Sequence, residues 1–171
     1  MNRVLPVFIT ALLFCAATAV AGDTNRAPTA VSPEQVALST TLYKTGLDLQ
    51  KKQNDLDGAI AKYEEALRVN PANADCLNHY AWFLAVEAPA ERKKIDRGIE
   101  LGLLAVKASD GKRPDILDTL AEAYFQKGDF AQAVETGRQA VRAQQESGSP
   151  KYKDYLQTQQ IKFEAAGKEK K

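Results

Sequence analysis

Across residues 116–140 the apolar and small positions form two runs of helical period separated by one polar turn. Leu117, Leu120, Ala121 and Tyr124 recur at the three-and-four spacing of a single helical face. Gly128 and Asp129 interrupt the run, and Ala133, Gly137 and Ala140 resume it on a second face. The pattern predicts a helical hairpin with small residues where its helices touch. One hairpin cannot bury its apolar stripe alone and needs copies to stack against. Two earlier segments supply them. In the first helices, Leu42, Gly46 and Leu49 align with Leu77, Ala81 and Leu84, and then with Leu117, Ala121 and Tyr124. In the second helices, Leu56, Ala59, Ile60, Tyr63, Ala66 and Leu67 align with Ile95, Gly98, Ile99, Gly102, Ala105 and Val106, and then with Phe130, Ala133, Val134, Gly137, Ala140 and Val141. Unrelated amphipathic helices share a period but not the placement of small residues. The alignment therefore predicts three tandem copies, over residues 39–72, 74–111 and 114–147.

The flanks read differently. Ser32-Pro33-Glu34 combines a capping hydroxyl, a first-turn proline and an acid that complements the helix dipole, so a helix is expected from there to about Lys52. After the third copy, residues 146–150 form a break. Tyr152, Leu156, Gln159 and Phe163 then mark a capping helix over residues 150–166, with Gly167 as its stop and residues 168–171 as a charged tail. Residues 22–31 lack periodicity and read as a flexible lead-in to a repeat domain at 32–167. Residues 1–21 have a basic start at Arg3, an apolar run and Ala19-Val20-Ala21 before Gly22, which describes a cleaved signal peptide. The expected location is periplasmic or secreted; the alternative is an inner-membrane anchor formed by residues 4–21.

Loss of Arg3 with that segment leaves the basic residues equal in number to the 22 acidic ones, a balance that gives no support to nucleic-acid binding. His79 is the sole histidine, and no nucleophile, base and orienting group stand together, so no catalytic residue is expected. Cys76 and His79 lie one helical turn apart but lack a second ligand pair, and read as a core thiol and a surface imidazole. Asp55, Asp57, Gly58, Ile60 and Glu64 resemble part of a calcium loop, but Gln53 stands where the leading aspartate belongs. Asp55 and Asp57 are better read as helix caps, leaving a calcium or small-molecule sensor as a remote alternative. No metal or cofactor is expected.

With its hairpins, Asn70-Pro71 closing the first copy, and Gly128, Phe130 and Ala133 in the third, the chain resembles the tetratricopeptide repeat family, whose unit is a hairpin of about 34 residues. Ala81-Trp82-Phe83-Leu84-Ala85 and Asp118-Thr119-Leu120-Ala121 are similar to a bacterial subclass of these repeats, which with the leader segment gives the exported bacterial type. The departures are a first turn one residue longer than the third, a second turn five longer that carries Pro89, Arg92, Lys93, Lys94 and Arg97, and Ser109 to Arg113 in place of Asn-Pro. The resemblance implies an all-α solenoid of three hairpins plus a C-terminal capping helix. The first helix of each pair would line a concave groove. Carried over position by position, that groove would present Tyr43, Leu47 and Gln50, then Asn78 and Trp82, then Asp115, Asp118, Glu122 and Phe125, flanked by Thr40, Asp75 and Ala85.

Chaperone-binding relatives grip a terminal carboxylate with lysine, arginine and asparagine on these faces, whereas Tyr43, Leu47 and acids stand here. The expected ligand is instead an extended protein segment with basic and apolar side chains. The function implied is a non-enzymatic adaptor for a protein or peptide partner. The alternative is a self-associating envelope module that uses Cys76 or an uncapped end.

Overall fold

The computed structural model describes residues 30–148 and 150–169. The expected signal segment, nearly all of the lead-in, Ser149 and the last two residues of the tail lie outside the described residues. The chain divides into two units, Met1–Ala30 and Val31–Lys171, and the helices below belong to the second. They run α1 (Pro33–Lys52), α2 (Leu56–Val69), α3 (Ala74–Trp82), α4 (Ile95–Ala108), α5 (Pro114–Lys127), α6 (Phe130–Glu146) and α7 (Lys153–Glu169). The described residues contain no strand. None of these helices is long and apolar enough to cross a membrane.

Local chemistry sets the helix starts. Ser32 forms a reciprocal capping box: its hydroxyl accepts from the Gln35 amide at 3.3 Å, and Gln35 Oε1 accepts from the Ser32 amide at 2.9 Å. Asp55, Asn73 and Asp129 accept from Gly58, Cys76 and Gln132 amides to start α2, α3 and α6. Asp57 is not a cap. It lies in the first turn of α2 and pairs with Arg92. Gly128 ends α5 at φ 82°, the left-handed conformation that glycine adopts without a Cβ penalty.

The helices pack as the pairs α1/α2, α3/α4 and α5/α6, and α7 lies against α6. The three hairpin connections span 53–55, 88–94 and 128–129, reproducing the turn lengths read from the sequence. In the middle hairpin, α3 widens into a π-helical turn at Phe83–Glu87 before Pro89, and the Lys94 amide donates to Leu84 O at 3.0 Å to tie the loop back.

Small residues mark the tightest approaches. A Cβ on Gly46 would meet Tyr63 Cε1 at 2.6 Å, and one on Gly98 would meet Ala85 Cβ at 2.9 Å. Gly102 faces Leu120 of the following helix, as Gly137 faces Phe163 of α7. Thus α7 occupies the position of a fourth first helix, with Phe163 fully buried among Ala121 and Ala133. Gly167 does not stop α7. A Cβ added there would meet Phe130 Cβ at 3.8 Å, an ordinary contact, and the helix continues to Glu169. The cap also starts later than residue 150, because Tyr152 takes φ 68° just before the first turn.

Candidate functional site

The groove residues fall into three environments. On α1, Tyr43 and Leu47 are half-buried against the core. Tyr43 lies 6.2 Å from the Tyr63 ring and 6.1 Å from the His79 ring. Gln50 accepts from the Tyr63 hydroxyl at 2.7 Å and donates to Glu87 at 2.9 Å. Its Oε1 also lies 3.2 Å from His79 Nε2, which places the imidazole proton on that nitrogen. His79 is therefore not the surface imidazole expected. Burial, then the charge of Lys51, pushes it down to about 4, against the pull of Glu87, so it is neutral at ordinary pH.

At the other end, Glu122 and Phe125 are taken up by the cap. Glu122 is 4% exposed; Lys162 of α7 donates to it at 2.6 Å, and Gln126 does so at 2.9 Å. Phe125 packs with its ring centroid 5.5 Å from those of Phe130 and Phe163, and the Lys162 ammonium stands 4.3 Å above it. Charge and aromatic face are both satisfied from within the chain.

Between these regions lies a cleft of about 480 Å³. Asn78, His79 and Trp82 of α3 form one wall, and Asp115, Asp118 and Thr119 of α5 form the floor. Tyr152, Tyr155 and Leu156 close it from the C-terminal side. Arg113 bridges Asp115 and Asp75 at the shared N-terminal end of α3 and α5. Burial would raise the Asp115 carboxyl, but the Arg113 hydrogen bond and charge outweigh it and hold Asp115 below the usual range. Asp118 is only 7% exposed. Burial pushes it up to about 6, against the Tyr155 hydrogen bond and the charge of Lys162. Asn78 Oδ1 is buried with no hydrogen-bond donor among the described residues.

The structure thus brings Asn78, Trp82, Asp115 and Asp118 together and separates them from Tyr43, Leu47 and Gln50 on one side and from Glu122 and Phe125 on the other. Sequence reasoning missed Tyr155 and His79 as parts of this surface. The stripe Tyr152, Tyr155, Gln159 and Lys162, at spacings of three and four, carried the signal that α7 turns a second polar-aromatic face toward α5. A depression of about 470 Å³ between α6 and α7 is a weaker candidate, since its charged lining residues Arg138 and Glu164 already pair at 3.0 Å.

Residues 114–147, the third hairpin, match the tetratricopeptide repeat family model. This match supports the tetratricopeptide repeat family. Solved structures with the same fold include the Sgt2 tetratricopeptide repeat domain from Aspergillus fumigatus, 25% identical, with a TM-score of 0.61 over 84% of this chain and 87% of that one. They also include the N-terminal domain of stress-induced protein-1 (STI-1) from C. elegans, 19% identical, with a TM-score of 0.57 over 75% of this chain and 98% of that one. No curated protein sequence matches the chain. Tetratricopeptide repeat domains are generally protein-protein interaction modules.

The remaining chemical candidates resolve into structural roles. Asp55 caps α2, Asp57 pairs with Arg92, and Glu64 accepts from the Tyr80 hydroxyl at 3.3 Å, so the three acids of the calcium-like loop each have a partner within the fold. Among the described residues no group of three or more histidine, cysteine, aspartate or glutamate side chains is placed to hold a metal. Cys76 is fully buried, its thiol donates to Tyr63 O at 3.7 Å, and burial pushes it up to about 12.

Proposed function

We propose that the protein is an exported, non-enzymatic adaptor that holds an extended segment of a partner protein in the groove of its repeat domain, with the α3/α5/α7 cleft as the main contact. The observation that carries this reading is Trp82. It is half-buried in the cleft wall and belongs to none of the core clusters, whereas Phe125, its counterpart as a groove aromatic, is locked between Phe130 and Phe163. An aromatic presented in a concave, partly desolvated pocket is the kind of residue that anchors an interface. Export rests on residues 1–21 alone, and intact-mass measurement on protein from the native host tests it: a chain starting near Gly22 supports it, and retained residues 1–21 with membrane sedimentation favour the anchored alternative. The groove is tested by capture from an envelope fraction with the parent and Trp82→Ala. The variant should fold and lose the partner; equal capture would remove the cleft from the interface.

One observation favours the second reading, a self-associating module. Val36 and Leu38 on α1, the first helix among the described residues, are 45% and 50% exposed. Cys76, the other route to association, is buried and is not available for an intermolecular disulfide without unfolding. Light scattering on the isolated chain separates the readings, since Val36→Lys with Leu38→Lys should dissociate a module assembled through α1 and leave an adaptor unchanged.

A further inference from the structure

The groove contains its own precedent for what it binds. Lys162 projects from α7 onto Glu122 at 2.6 Å while standing 4.3 Å and 5.3 Å from the Phe125 and Phe163 centroids. This places an ammonium between a buried carboxylate and aromatic faces, an arrangement that suits a desolvated cation. One turn earlier on α5, and two turns earlier on α7, the parts recur. Asp118 precedes Glu122 by four residues on α5, and Tyr155 precedes Lys162 by seven on α7, so both pairs repeat on the same helical faces. At this level, however, α7 supplies a tyrosine instead of a lysine, and the cleft of about 480 Å³ opens toward Trp82.

The acceptors here are not used up. The Tyr155 hydroxyl donates to Asp118 while accepting from Gln159 at 2.9 Å, which leaves the carboxylate with further acceptor sites. Asp118 has no ion-pair partner among the described residues, and Asn78 Oδ1 has no donor. The cations nearby are committed elsewhere: Arg113 to Asp75 and Asp115, Lys162 to Glu122, and Lys151 at 4.6 Å over the outer Tyr152 ring.

We propose that the cleft holds a lysine or arginine side chain presented by the partner polypeptide, its charged head on Asp118 and Asn78 Oδ1 and its aliphatic stem between Trp82 and Tyr155. The inference rests on the groove reading above and names the side chain that the groove takes. A long cationic side chain fits both halves of the lining, because its stem buries against aromatic surface while its head donates to the acceptors.

Trp82 is the sole tryptophan, so its fluorescence reports on this cleft. The full chain is titrated with acetyl-Ala-Lys-Ala-amide, its arginine counterpart, and controls carrying norleucine or glutamate at the central position. The lysine and arginine peptides should shift Trp82 emission saturably, with the norleucine and glutamate peptides weaker by about tenfold or more. Asp118→Asn should weaken the lysine peptide by about tenfold while preserving helical circular dichroism. Tyr155→Lys, at an exposed position outside the core, should fill the cleft as Lys162 fills its neighbour and abolish the response. If Asp118→Asn does not fold, Tyr155→Lys decides. Equal binding of norleucine and lysine, no response to any peptide, or unchanged lysine binding in Tyr155→Lys overturns the inference. Partner capture that still depends on Trp82 would then leave the groove reading standing, whereas capture indifferent to Trp82→Ala removes that reading too.

Discussion

Two side chains that line the cleft titrate in opposite senses. The folded His79 resists protonation down to about 4, while an unfolded histidine takes its proton near 6.5, so its contribution is present above 6.5 and is lost as pH falls toward 4. Asp118 does the reverse. Its folded carboxyl keeps a proton up to about 6, against 3.8 when unfolded, so its contribution is present at low pH and is lost as pH rises through that window. The two slopes oppose each other between about pH 4 and 6. Asp118→Asn removes one of them, and urea denaturation should show the variant losing stability on acidification more steeply than the parent, by on the order of 2 kcal/mol across the window. Parallel pH profiles would refute the assignment. The neighbouring Glu122 is the buried partner of half-exposed Lys162: Lys162→Met leaves it with Gln126 alone and should cost on the order of 2 kcal/mol in the same assay. The sequence placed Asp118 and Glu122 on one face correctly, but an acidic stripe carries no record of its depth. Reversing both charges, harmless on a solvated face, would here bury two unpaired ammonium groups.

At the scale of the helix, legibility follows from how local the cause is. Ser32, Asp55 and Gly128 act on amides and dihedrals within a few residues of themselves, so the helix ends they set could be read directly, as could the three connection lengths. Gly167 misled because a glycine ends a helix by taking a positive φ, as Gly128 does, and Gly167 does not take one. The register of the pairs supplies a stringent test. Ala81 and Ala121 are fully buried at repeat-equivalent positions, and Ala81→Leu or Ala121→Leu should each cost about 1 to 3 kcal/mol through overpacking. Gly137→Ala belongs with them, since its new methyl would press Gln160 Oε1 at 2.5 Å and the Phe163 ring at 3.0 Å, displacing α7 more than α6. Thermal melts of the three variants check the register, and melting temperatures equal to the parent's would contradict it.

For the whole molecule, the consequential feature is that α7 both closes the stack and builds the cleft. The sequence implied the first role, because an open repeat face needs a cover. The second was out of reach, since which groove positions a cap shields depends on where it crosses α5, and this emerges only when Phe163 seats on Gly137 and brings Lys162 and Tyr155 with it. Sharing one element couples the two roles. A terminal helix packed chiefly on a single neighbour opens more readily than the interior pairs, so amide exchange in Lys153–Glu169 should be faster than in α5. A ligand that touches Tyr155 binds only the docked form of α7 and stabilises it by mass action, by about 2.7 kcal/mol when its concentration is a hundred times its dissociation constant. With a saturating lysine peptide, exchange should therefore slow through α7 and the facing part of α5 while α2 stays unchanged. Protection confined to α1 and α2 would place the ligand at Tyr43 and Leu47 instead, and uniform protection would mean that the repeats and their cap open as one unit.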